Sequence, residues 1–66
     1  MSLLAEALYQ LEERAGIMEF DGGSPRAEAE ADAIRELERD PAFGDGVKRQ
    51  AIRTFRERLR AREVAR

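Results

Sequence analysis

Two breaks divide this chain, both built from residues that regular elements exclude from their interiors. The first is Asp21-Gly22-Gly23-Ser24-Pro25; the second runs from Asp40-Pro41 to Gly44-Asp45-Gly46. Around them apolar side chains recur every three to four residues, and nowhere do they alternate as a half-buried strand requires. The spacing predicts three helices over about residues 3–20, 25–39 and 46–65. The expected fold is all-α: one small domain over residues 1–66, a three-helix bundle without repeats or low-complexity segments.

In the first segment Leu3, Leu4, Ala7, Leu8, Leu11, Ala15 and Met18 fall within about 140° of arc. Ser2 is the expected N-cap. Tyr9, Ile17 and Phe20 lie outside that arc, which predicts a second apolar contact on the same helix. Glycine ends helices readily because it accepts the left-handed conformation without a Cβ clash. Gly22-Gly23 is therefore read as a stop. Ser24 is expected as the next N-cap, with Pro25 at the first helical position, where a missing N–H costs nothing. The second helix is expected to present Ala27, Ala31, Ile34 and Leu37 on one face, with Glu28, Asp32 and Glu36 towards the other. Phe43 is expected to plug the core from a short turn, and Asp45 to cap the third helix. The apolar stripe of that helix is Val47, Ala51, Ile52, Phe55 and Leu59.

A chain of 66 residues buries only about 60% of its unfolded surface, so the core must be thin. Small scaffolds of this kind usually carry a staple. With no cysteine there is no disulfide or thiolate site, so self-association, such as a homodimer, or a partner is expected. The N-terminal stretch lacks a basic region and carries Glu6, so no secretory leader is expected. No apolar run approaches the ~20 residues of a bilayer span. A cytoplasmic protein without membrane contact is the expectation. Arginine outnumbers lysine 11 to 1, as in a GC-rich bacterial or phage gene.

The chemistry of catalysis is sparse. DGGSPR lacks the lysine and Ser/Thr of a P-loop and the three spaced glycines of a dinucleotide fingerprint. Glu19, Asp21 and Ser24 do not make the alternating ligand pattern of a calcium loop. Glu28, Asp32 and Glu36 share one helix face, but acid/base or cation chemistry wants a concave site, and this face should be solvated. With no histidine, no cysteine and no room for an ordinary ligand pocket, no enzyme, cofactor or metal site is expected.

The stronger signal is charge. Residues 1–45 carry 4 basic and 12 acidic groups, a balance of −8, whereas residues 46–66 carry 8 basic and 2 acidic groups, a balance of +6. Such a split points to an anionic partner, or to halves that neutralise each other. Arg49, Arg53, Arg56 and Arg60 occupy about 60° of arc opposite the apolar stripe, a ridge about 16 Å long. Arg58 and Arg62 flank it nearer the core. Like charges at i, i+4 each cost a few tenths of a kcal/mol. Glu57 and Glu63 offset only part of that cost within the helix. Nucleic-acid phosphates, the acidic helices of the same or a twin chain, or solvent would each supply the remainder. No aromatic residue stands among these arginines to stack single-stranded bases. The seven-residue gap at 40–46 is longer than the 3–4-residue turn of a helix-turn-helix.

The run LEERAGIMEFDGGSPRAEAEADA, residues 11–33, resembles a short helical segment of bacterial mobile-element proteins, including plasmid or phage primase-helicase-like proteins. The matching residues are Leu11 to Ala15, Ile17, Glu19 to Gly23, Arg26 and Glu28 to Glu30, about a third of the chain. Gly16 departs from the usual alanine and should loosen the helix by up to ~1 kcal/mol. The resemblance implies a neighbourhood of DNA metabolism and no reaction. The expectation is a non-enzymatic accessory module of a phage or mobile element that contacts nucleic acid through Arg49, Arg53, Arg56 and Arg60. The alternatives are a small protein-binding inhibitor or adaptor, anti-CRISPR- or antitoxin-like, working through Glu28, Asp32 and Glu36, or a helix-mediated homodimer.

Overall fold

A computed structural model describes the backbone of residues 2–64 and the side chains of residues 2–62. Ala65, placed in the third helix by the sequence, Met1, Arg66 and the side chains of Glu63 and Val64 lie outside these described residues. The order of elements is α1 (Leu3–Phe20), α2 (Arg26–Arg39) and α3 (Asp45–Val64), a three-helix bundle with no strand among the described residues. Among the described residues no helix is long and apolar enough to cross a membrane.

α1 begins as its sequence dictates. The Ser2 Oγ accepts from the Ala5 amide at 3.1 Å, satisfying one of the orphan donors of the first turn. At the other end the Asp21 amide closes on the Ile17 carbonyl at 2.8 Å, and Gly23 turns left-handed with φ +69°. That turn brings the Ser24 amide onto the Met18 carbonyl at 3.0 Å.

Here the structure corrects the expected cap of α2. Ser24 is still engaged in ending α1, so the N-cap residue is Pro25, whose carbonyl accepts from Ala29 at 2.9 Å, and no side chain caps the helix. The start of α3 differs similarly. The Gly44 carbonyl accepts from Lys48 at 3.0 Å, which puts Asp45 inside the first turn instead of at the cap. Its carboxylate there still faces the positive end of the helix dipole. Between α2 and α3, the Asp40 Oδ1 accepts from the Ala42 amide at 2.9 Å, an Asx turn that swings Phe43 inward. Phe43 is buried, as expected of a core plug.

The core consists of Ala7, Leu8, Leu11, Ala33, Leu37, Phe43, Ala51 and Phe55, with Leu4, Ala15, Ile34, Val47, Ile52 and Leu59 packed around it. α1 is the central helix: α2 and α3 both pack on it and touch each other sparsely. Three expected core positions turn to solvent. Leu3 is exposed, since it sits at the edge of the α1 stripe before the flanking helices cover it. On α2, Ala29 and Ala33 are buried with Leu37, whereas Ala27 and Ala31 face solvent. α2 carries two alanine rows at i, i+4 spacing, and Leu37 decides between them because Ala29 and Ala33 lie in register with it.

Candidate nucleic-acid interface

The helical period of α3 separates its cations into two sets. Its inward arc, set by Ala51 and Phe55, brings the flanking Arg58 and Arg62 over α1. There Arg58 Nη1 lies 3.4 Å and Arg62 Nη2 3.6 Å from the same Glu12 Oε1. Among the described residues, ion pairing between α3 and the acidic half of the chain is seen at these two arginines.

Arg49, Arg53, Arg56 and Arg60 all point outward and are exposed. Among the described residues none of the four makes a hydrogen bond or ion pair. Arg49, Arg53 and Arg56 come together along an open groove of about 500 Å³ between α3 and the end of α2, where Ile52 forms part of the floor. Arg60 extends the ridge beyond this groove and does not line it.

Lys48 is the element that sequence reading overlooked. Its Nζ donates to the Glu38 carbonyl at 2.9 Å, so the ammonium meets the negative end of the α2 dipole and ties the two helices together. A basic residue one position before the ridge, facing the end of the preceding helix, is a usable signal for such a tie. Glu38 and Asp45 stand at the same rim and make that end of the groove mixed in charge.

The acidic candidates are less concentrated. Asp32 is spoken for by Arg35, whose Nη1 donates to its Oδ1 at 2.8 Å. Glu28 and Glu36 are exposed on either side of that pair. Among the described residues no group of three or more Asp, Glu, His or Cys side chains is arranged to hold a metal ion.

Comparison with known proteins returned no matching family model, no matching curated protein and no matching solved structure. The chemistry of the surface must therefore carry the functional reading. Four guanidinium groups in a row, each with five donors and none engaged among the described residues, present forks that match phosphate or carboxylate oxygens. The groove beside them is open and is lined also by Glu38, Asp45, Lys48 and Ile52.

Proposed function

We propose that this chain is a non-enzymatic accessory module, of phage or mobile-element origin, that contacts nucleic acid through Arg49, Arg53, Arg56 and Arg60. The observation that carries this reading is that these four arginines share one exposed face without an acid partner among the described residues, although acids outnumber bases in the chain. The i, i+4 repulsion within the ridge is relieved when phosphates replace solvent around it, and each contact releases condensed counterions. Binding of this type is sequence-independent and prefers duplex, because the ridge bears no aromatic side chain to stack bases.

A salt series with a short duplex tests it. Four phosphate contacts give a log K against log salt slope of about −3.6. Replacing Arg53 and Arg56 by glutamine should make the slope shallower by about 2 and weaken binding uniformly across sequences. No measurable binding at low salt would remove the proposal.

The second reading, an inhibitor or adaptor that engages a basic protein surface through Glu28, Asp32 and Glu36, is favoured by the exposure of Glu28 and Glu36. It is weaker because Arg35 already neutralises Asp32. Charge reversal at Glu28 and Glu36 that abolishes capture of a basic protein, with duplex binding absent, would select it.

A further inference from the structure

α1 is apolar on two opposite faces, and the fold covers only one. Tyr9 is 64%, Ile17 51% and Phe20 82% exposed. Together with Glu6 and Glu13 they occupy an arc of about 80° on the side away from the core stripe, with no basic residue of α1 within it. Phe20 at its end also borders a cleft lined by Arg26 and Arg62. Helices that are apolar all round are normally enclosed on all sides. Here α2 and α3 flank α1 and leave this face open. Its N-terminal half frames a shallow depression of about 490 Å³ between Glu6, Tyr9, Glu13 and the Ala42 turn. Neither Glu6 nor Glu13 forms an ion pair among the described residues.

An acidic, aromatic helix face calls for a cationic helix face, and this chain contains one. We propose that the outer face of α1 docks on the arginine ridge of α3 in a second copy of the chain. Among the described residues the ridge is unpaired; it lacks aromatic groups of its own and repeats at steps of four, three and four residues. Glu6, Tyr9, Glu13, Ile17 and Phe20 repeat at steps of three, four, four and three. Both rows run along one helix face, about 21 Å and about 16 Å long, so they can lie side by side. Guanidinium groups stack on the Tyr9 and Phe20 rings while their forks meet Glu6 and Glu13. Two α1 faces brought together would oppose carboxylates with no counter-charge, which argues against a symmetric α1 pairing.

The contact is heterologous: each copy offers one α1 face and one ridge. It does not rest on the nucleic-acid reading, but it uses the same ridge, so duplex and self-association compete.

Sedimentation of the full chain at low ionic strength tests it, using two double variants, Glu6→Lys/Glu13→Lys and Arg53→Glu/Arg56→Glu. For the natural sequence the average mass should rise with concentration above the 7.5 kDa monomer and fall as salt is added. Each double variant alone should be monomeric. An equimolar mixture should associate again and stop at a 1:1 pair, because one variant retains only a ridge and the other only an α1 face. A natural sequence that stays monomeric, or a mixture that does not associate, overturns the proposal. Phe20→Ala provides a second readout that leaves every charge in place, and it should lower the association constant about tenfold at unchanged thermal stability. Loss of stability without loss of association would count against the contact. Glu6→Lys/Glu13→Lys keeps the ridge, so duplex binding by this variant reports on the nucleic-acid reading separately.

Discussion

Arg58 on α3 meets Glu12 on α1 at 3.4 Å, and Arg62 reaches the same carboxylate oxygen at 3.6 Å. One acid thus holds two of the arginines of α3 against the central helix and leaves four others facing outward. Both guanidinium groups are at least half exposed, so solvent screens the attraction. Glu12→Gln is expected to lower stability by no more than about 1 kcal/mol in low salt. The difference from the natural sequence in urea titrations should shrink as salt is added. A loss that persists unchanged in high salt would mean that Glu12 acts through packing instead of charge.

Phe55 is among the largest fully buried side chains and packs in the same cluster as Leu11 and Leu37. Truncation of a buried phenylalanine to alanine costs about 3–5 kcal/mol. A chain of this length has a total stability of about 3–10 kcal/mol. Phe55→Ala should therefore leave a largely unfolded or barely folded protein at 37 °C, visible as loss of helical circular dichroism.

Gly16 and Gly23 should respond in opposite directions. A Cβ at Gly16 meets nothing within 4 Å, and the residue lies inside α1. Gly16→Ala is expected to raise stability by about 0.5–1 kcal/mol, since alanine removes backbone freedom from the unfolded chain. Gly23 also has open space around it, but its φ of +69° is a conformation that side chains disfavour. Gly23→Ala should cost about 1–2 kcal/mol for that reason alone. Thermal melts of the two variants on either side of the natural midpoint are the expected result.

Ser2→Ala removes the acceptor for the Ala5 amide and should destabilise α1 by about 1 kcal/mol. Hydrogen exchange should show the loss first at the amides of the first turn. Uniform loss of protection across all three helices would assign the cap a role in global stability.

Much of the fold was legible from residue order. The core stripes of α1 and α3 follow from where Leu8, Leu11, Ala51 and Phe55 recur at the helical period, and Phe43 is inward because an Asp-Pro turn precedes it. The face of α2 was legible too, and grouping Ala27 and Ala31 with Leu37 misassigns it, because Ala29 and Ala33 are the alanines at steps of four from that leucine. The arginine ridge was visible as spacing, whereas its lack of internal partners was not, since Glu12 is 46 residues from Arg58 along the chain.

The sequence by itself determined that there are three helices, where they stop, and which side chains share a face on each. Those properties depend on backbone conformations and on a period counted along a single axis. Only the tertiary structure decided which arginines Glu12 neutralises, and that Tyr9, Ile17 and Phe20 stay uncovered. These depend on how helices are placed around one another. A period measured along one helix carries no information about the neighbour on either side of it.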